Sequence, residues 1–180
     1  MKRIFRPAAL LAATVASALL SGCATQYKLG TTLAPELRDV YVPTIRNESS
    51  QPDAARALQR ALVREIQREG TLRMVPESEA ATRLDVVVTG YDQSATTYAQ
   101  RDTQRPTEYR MELTARVSFT RIPRAKAGET EAKPIWAKSS VTGTETFVGG
   151  ASAVSAKLAC LPKAAEDLAE TIVDGCVGAW

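Results

Sequence analysis

The sequence predicts an α+β protein: two helices packed on one face of a four- to five-stranded mixed sheet, a two-layer sandwich. Residues 109–119 alternate between apolar and polar side chains throughout, which is the period of a strand with one face on a core. Helical periodicity occurs twice, once in residues 54–69 and once in residues 161–176. The chain has 180 residues, 44% of them apolar, enough to bury a core of its own.

The N-terminal residues have the pattern of a secretory signal. Its basic residues are Lys2, Arg3 and Arg6. The apolar run from Ala8 to Leu20 is shorter than the roughly 20 residues that a membrane-spanning helix needs. The run Leu20-Ser21-Gly22-Cys23 then resembles the lipobox of bacterial lipoproteins, in which the cysteine is acylated and the signal is removed before it. We therefore expect residues 1–22 to be a signal peptide and Cys23 to carry acyl chains such as palmitate. The alternative is an ordinary signal with a chance cysteine.

The residue after Cys23 indicates which membrane of the envelope anchors the mature protein. Lipoproteins retained in the inner membrane carry an acidic residue there, whereas this chain has Ala24. The sequence therefore predicts an outer-membrane lipoprotein of the Gram-negative envelope that faces the periplasm. We expect residues 23–36 to be a lipidated tether and residues 37–180 to form the α+β domain. Several acyl chains, at about 0.8 kcal/mol per buried CH₂, anchor a protein stably without a spanning helix.

Charge and composition favour binding or structure over catalysis. The net charge of +3 comes from the leader, because without it 20 basic residues face 20 acidic ones, so the basicity does not indicate nucleic-acid binding. The chain has no histidine, which removes the commonest general base and all His-ligated metal sites. No phosphate-loop, nucleophile-elbow or metal-ligand spacing occurs. We expect no enzymatic activity, no cofactor and no metal.

The first half of the domain predicts a strand, a helix and a second strand. Residues 40–45 are rich in β-formers, and Pro43, which donates no ladder hydrogen bond, favours a position at a sheet edge or with one side unbonded. A helix is predicted over residues 54–69 and ends at Gly70. Its apolar side chains recur every four residues: Leu58, Leu62 and Ile66. A short strand is predicted over residues 72–75.

The second half predicts three longer strands. Residues 84–89 and 109–120 alternate in polarity, and the polar segment 92–107 between them predicts a long hairpin tip. The charged segment Pro123 to Pro134 predicts a second tip. A strand rich in serine and threonine follows over residues 135–147.

A final helix is predicted by one apolar stripe: Leu161, Ala165, Leu168, Ile172 and Cys176. Pro162 suits the first turn of this helix better than its interior. Cys160 and Cys176 could form a disulfide in an oxidising compartment. An unbroken helix would place them about 24 Å apart at about 1.5 Å per residue, whereas a disulfide requires Cα atoms within about 7 Å. A Cys160–Cys176 disulfide is therefore not expected, although it stays open as the alternative.

Two sets of charged side chains on the helices have a solvated face as their simplest interpretation. The basic set, Arg56, Arg60, Arg64 and Arg68, lies about 200° around the helix from its leucines and so points outward. It could instead meet phosphates or an acidic partner. The acidic set of the last helix is Glu166, Asp167, Glu170 and Asp174. No loop oxygens accompany the acidic set, as a calcium site would require.

Five segments together resemble one known family. They are Tyr27–Gly30 soon after the cysteine, Val40–Asn47, the helix ending at Gly70, Glu108–Met111 opening the long strand, and Lys163–Leu168 in the last helix. In order and spacing these segments resemble the lipopolysaccharide-assembly lipoprotein LptE family. The resemblance covers nearly the whole mature chain.

The resemblance implies a non-enzymatic role. Members of that family plug the large outer-membrane β-barrel LptD, help it assemble, and bind lipopolysaccharide on its way to the outer leaflet. It also implies that a basic residue in the hairpin tip, shortly before Glu108, contacts lipid. Arg101 matches best by spacing, Arg105 is the second candidate, and Lys157 before the last helix is a third. The alternative function is another periplasm-facing envelope lipoprotein, such as a cell-wall synthase activator or an auxiliary subunit of a lipid transporter.

Overall fold

The computed structural model describes residues 33–99, 102–123, 134–149 and 153–178, with only the backbone for residues 99, 102–105 and 153. All of them belong to one compact unit that spans residues 32–180. The predicted signal peptide, Cys23, Arg101 and most of the second hairpin tip lie outside the described residues. The unit includes the last residues of the predicted tether, because Leu33 is buried and Pro35–Leu37 forms a 3-10 turn.

The described residues form six strands and two α-helices. In chain order they are β1 (Asp39–Tyr41), β2 (Arg46–Asn47), α1 (Ala54–Glu69), β3 (Arg73–Met74), β4 (Thr82–Ala99), β5 (Asp102–Arg121), β6 (Pro134–Val148) and α2 (Ala153–Val177). The strands form one mixed sheet in the order β3-β1-β4-β5-β6, and β2 pairs with β4 beside β1. The contacts among β1 to β4 are parallel, whereas β4, β5 and β6 are antiparallel. The predicted fold class is confirmed, with six strands instead of four or five.

The hydrophobic core lies between the two helices and one face of the sheet. Its largest fully buried side chains include Leu84, Met111, Leu113 and Phe119 from the sheet, Leu58, Leu62 and Ile66 from α1, and Leu168 and Ile172 from α2. Burial of one such side chain stabilises the fold by about 1.5–3 kcal/mol. The predicted stripe of α1 and the predicted stripe of α2 therefore both face the core.

The first predicted strand is divided at its proline. β1 ends at Tyr41 and β2 begins at Arg46, and both run parallel to β4. β1 has β3 on its other side, so β1 is not an edge strand. β2 pairs with β4 alone among the described strands, which agrees with the predicted alternative of one unbonded side. Pro43 lies between the two short strands, where no ladder hydrogen bond is required of it. Close by, the Ile45 amide donates to Gln59 Oε1 at 3.0 Å, which ties this connection to α1.

The predicted tip at residues 92–107 is largely strand. β4 and β5 stay paired from Thr82 and Arg121 as far as Ala99 and Asp102, with a bulge that includes Gly90 and further irregularities near the turn. Arg105 therefore lies within β5. The apolar alternation fades here because few core residues lie beneath, yet threonine and tyrosine retain high β-propensity. Hydrophobic pattern alone detects a strand only where one of its faces is buried.

Helix α2 begins nine residues before Pro162, so the prediction of this proline in the first turn is wrong. Pro162 lies inside the helix, where it cannot donate to the Leu158 carbonyl and costs about 3 kcal/mol in an ordinary helix interior. Burial of the neighbouring Leu161, Ala164 and Ala165 opposes that cost. The turns before Pro162 carry Val154 and Leu158, which are 76% and 72% exposed.

Both cysteines of α2 are buried and free in the structure. Burial away from water raises the pKa of the Cys176 thiol to about 12, from its ordinary value of 9.0, because the thiolate is poorly solvated there. Burial also raises the pKa of Cys160, to which the nearby Glu145 carboxylate adds.

We expect the free energy of unfolding to fall as the pH rises above about 9. Between the two pKa values the folded protein keeps the Cys176 proton and the unfolded chain releases it, so alkali favours unfolding, by up to about 1.4 kcal/mol per pH unit. Urea unfolding measured at pH 7.5 and at pH 10 should therefore show that the free energy of unfolding falls more for the native protein than for Cys176→Ala. Equal losses in the two proteins would contradict this prediction.

Candidate interaction surfaces

The face of the sheet opposite the helices is polar and open. On β5 it consists of Arg110, Glu112, Thr114, Arg116, Ser118 and Thr120, and on β6 of Thr142, Thr144 and Thr146. These side chains are exposed or half-buried, whereas the β5 residues that alternate with them are buried. We call this surface the open face. It confirms the prediction of a sheet with one covered and one polar side.

Two cations on or beside the open face, Arg83 and Arg116, are already paired. Arg83 contacts Asp85 at 2.9 Å and Glu77 at 2.8 Å, and its hydrogen bond to Asp85 raises the pKa of the Arg83 guanidinium. Arg116 contacts Glu48 at 3.1 Å. Exposed pairs of this kind contribute about 0–1 kcal/mol each. Their main effect is to leave the open face rich in hydroxyl groups and close to electrically neutral.

The structure does not bring the three predicted lipid-contact residues into one described site. Arg101 lies outside the described residues, and only the backbone of Arg105 is described, within β5. Lys157 lies inside α2 and not before it, and its Nζ is 6.0 Å from the centre of the Tyr91 ring. This separation is at the outer limit of a cation–π contact.

Two residues of the basic set on α1 pair with two residues of the acidic set on α2. Arg64 contacts Glu166 at 2.7 Å, and one turn later Arg68 contacts Glu170 at 3.5 Å. Because both partners advance by one turn together, α1 and α2 run side by side in the same direction. Two acidic side chains assigned to a solvated face therefore bridge the helices. A third, Asp167, accepts a hydrogen bond from the Thr144 amide at 2.7 Å.

A cavity of about 420 Å³ lies between the beginning of α1, the first half of α2 and the middle of β4 and β5. Apolar residues form much of its wall, among them Ala57, Met111, Leu158 and Leu161. Arg60 also lines it, and no ion-pair partner of Arg60 occurs among the residues that the structure describes. The cavity was not predicted from the sequence, because the predicted last helix began several residues after the observed start of α2 at Ala153. The spacing of Val154, Leu158 and Leu161 was the available signal.

Within the described parts of the chain, neither helix combines the length and hydropathy needed to cross a membrane. Nor do three or more cysteine or carboxylate side chains of those parts converge as metal ligands would.

Residues 37–174 match the model of the LptE family, which is described as lipopolysaccharide assembly. The chain belongs to the LptE family. The resemblance found in the sequence is thereby confirmed over most of the chain. Membership makes this chain a lipoprotein of the lipopolysaccharide-assembly type.

Solved structures similar to this LptE-family chain include two bacterial lipoproteins. Rare lipoprotein B from Shewanella oneidensis is 20% identical, with 74% of this chain and 93% of that chain covered and a TM-score of 0.43. A minor lipoprotein from Acinetobacter baumannii is 11% identical, with 79% and 94% covered and a TM-score of 0.47. No curated protein sequence matches the chain at a significant level.

Proposed function

We propose that this protein is an outer-membrane lipoprotein that plugs the LptD barrel, helps it assemble and takes part in lipopolysaccharide transport to the outer leaflet. The family match over residues 37–174 carries this proposal. The protein acts in it by binding and not by enzymatic chemistry. Acyl chains on Cys23, after removal of residues 1–22, hold it on the periplasmic side of the membrane.

The polar composition of the open face supports the proposal that the protein plugs the barrel. Large outer-membrane barrels have a polar interior, and a protein inside one must offer hydrogen-bonding groups without unpaired buried charge. Threonine hydroxyls can donate and accept, and the paired Arg116 adds no uncompensated charge. The helices meanwhile cover the apolar side of the sheet. In this proposal the open face of the sheet lies against the interior wall of the barrel.

Lipopolysaccharide contacts form a second part of the proposal. Its lipid A phosphates need cations. Arg101 precedes β5 in the sequence, and Arg105 lies within β5. Guanidinium groups bind phosphate oxygens through charge-assisted hydrogen bonds. Lys157, which lies in α2 near the Tyr91 ring, is the third candidate.

The two parts of the proposal are tested by variants that separate them. Arg110→Glu with Thr142→Glu places two carboxylates on the open face, where burial against the barrel leaves them unpaired. We expect this variant to bind the barrel about 2–5 kcal/mol more weakly, roughly thirtyfold or more in Kd, and to retain lipopolysaccharide binding. Arg101→Glu with Arg105→Glu should show the opposite pattern, with lipopolysaccharide binding lost and the barrel retained.

The measurements are recovery of a one-to-one complex with a heat-modifiable barrel from mild detergent extracts, and binding of purified lipopolysaccharide at moderate salt. Gln67→Glu with Thr171→Glu is the matched control, because it adds the same number of carboxylates, at exposed helix positions. Normal barrel recovery by the Arg110 and Thr142 variant would contradict docking through the open face. Barrel assembly that survives deletion of the protein would contradict the plug itself.

A further inference from the structure

The cavity between the two helices has the size and composition of a ligand pocket. Its volume of about 420 Å³ falls within the range of about 300–1,000 Å³ that is typical of small-molecule sites. Val154 and Leu158 stand at its rim with most of their side chains exposed. Pro162, also in its lining, interrupts the hydrogen bonding of α2 beside it.

The ion pairs between the helices stop where the cavity begins. Arg68 and Arg64 each reach a glutamate of α2, and Arg60 is the next residue in this series. The α2 residue one turn before Glu166 is Pro162, which offers no carboxylate. Arg60 therefore lines the cavity without an ion pair among the described residues, and its charge is available to an anion.

Two further polar groups lie at the same cavity. Lys157 lines it, and its ammonium group contacts only the Tyr91 ring among the described residues. The Tyr91 hydroxyl is buried and has no hydrogen-bond partner among the described residues, although buried hydroxyls normally have one. Asp53 is the acidic residue of the lining, and its carboxylate is already paired with Arg56. The polar part of the cavity therefore carries net positive charge.

We propose that this pocket binds one hydrocarbon chain that ends in an anionic head group, a carboxylate or a phosphate monoester. The hydrocarbon chain of the ligand lies against Ala57, Met111 and Leu161. Its head group is bound by Arg60 and Lys157. The volume suits a single chain and not the several acyl chains of a lipopolysaccharide. The inference therefore goes beyond the proposed function and does not depend on it, and it assigns Lys157 to this ligand instead of to lipopolysaccharide.

The test uses the mature lipoprotein in a sterol-based non-ionic detergent and a dodecanoate analogue with a photoreactive group on its chain. We expect adducts on residues that line the pocket, located by mass spectrometry. Dodecanoate and dodecyl phosphate should both reduce labelling; whichever competes more strongly identifies the head group. Three compounds should not reduce labelling at equal concentration. They are dodecyl maltoside, which has the same chain but no charge, inorganic phosphate, which has no chain, and purified lipopolysaccharide.

Variants of the pocket residues test which side chains bind the photoreactive analogue. Arg60→Gln with Lys157→Gln should reduce labelling about tenfold or more, because each charge-assisted hydrogen bond contributes substantially to binding. Arg64→Gln is the matched control, one turn away and already paired, and should label normally. Ala57→Leu, which fills the pocket, should also reduce labelling, and circular dichroism verifies that each variant is folded.

Three results would overturn the proposal. One is undiminished labelling in the folded Arg60 and Lys157 variant. Another is equal competition by dodecyl maltoside, which would show partition into any apolar surface. The third is competition by lipopolysaccharide alone, which would make the pocket a part of the lipopolysaccharide site. None of these results bears on barrel association. The lipopolysaccharide part of the proposed function has its own test in the Arg101 and Arg105 variant.

Discussion

The Gly143→Ala variant is expected to unfold at a much lower urea concentration than the native protein, because α2 lies directly against the backbone of β6 at this glycine. A Cβ atom at position 143 would lie 2.4 Å from both the Cβ and the amide nitrogen of Leu168, and 2.5 Å from the carbonyl oxygen of Ala164. Two of these three atoms belong to the helix backbone. No rotation of a side chain can relieve the contact, so the whole helix must move away from the sheet.

The expected cost is large because that movement disturbs the core. Overpacking of a well-packed interior usually costs about 1–3 kcal/mol and occasionally more, and a clash with backbone belongs at or above the top of this range. Small domains have a total stability of about 5–15 kcal/mol. Separation of α2 from the sheet would also loosen the packing of Leu168 and Ile172, both fully buried.

The measurement is urea unfolding followed by circular dichroism and by tryptophan fluorescence. Trp136 lies on β6, close enough to α2 that a Cβ atom at Gly175 would overlap its ring. Gly90→Ala is the matched control, since a Cβ atom there meets only the Thr114 side chain, at 3.2 Å. If Gly143→Ala and Gly90→Ala unfold at the same urea concentration as the native protein, the close approach of α2 to β6 is wrong.

Cys23→Ala should abolish membrane anchoring through acyl chains completely. In the predicted lipoprotein class the Cys23 thiol receives the first acyl chains, and the signal is removed only after that step. We therefore expect an unlipidated chain that keeps residues 1–22. The loss is large because each buried CH₂ of an acyl chain contributes about 0.8 kcal/mol, and alanine contributes no chain.

The intact mass and the N-terminal sequence of the purified protein decide this prediction. Cys160→Ala is the control, because it also removes a cysteine but one that is buried within the folded unit. This control should be processed and acylated normally. Recovery of acylated mature protein from Cys23→Ala would contradict the lipoprotein interpretation.

Elements whose pattern is local could be predicted from the amino-acid sequence alone. Helix α1 was predicted over residues 54–69 and occurs there, because Leu58, Leu62 and Ile66 share a buried face and Gly70 ends the helix with a φ of 77°. The core half of β5 was predicted because its alternate side chains are buried. Family membership was also readable, since it depends on the order of short segments and not on contacts.

Features that depend on distant residues required the tertiary structure. β4 and β5 extend to Ala99 and Asp102 because each supplies the other's hydrogen bonds, beyond the region where core burial produces an apolar pattern. β1 is an internal strand because β3, which follows α1 in the chain, pairs with its far side.

The cavity and the tight contact at Gly143 arise in the same way. α2 continues through Pro162 because the core residues after it hold the helix on the sheet, and the turns before it then enclose a pocket with α1. Gly143 allows the approach of Leu168, 25 residues away in the sequence, and a pattern of neighbouring residues carries no information about such a pair. Local periodicity reports which face of an element is buried, whereas the identity of the residues packed against that face is set by the packing of the whole domain.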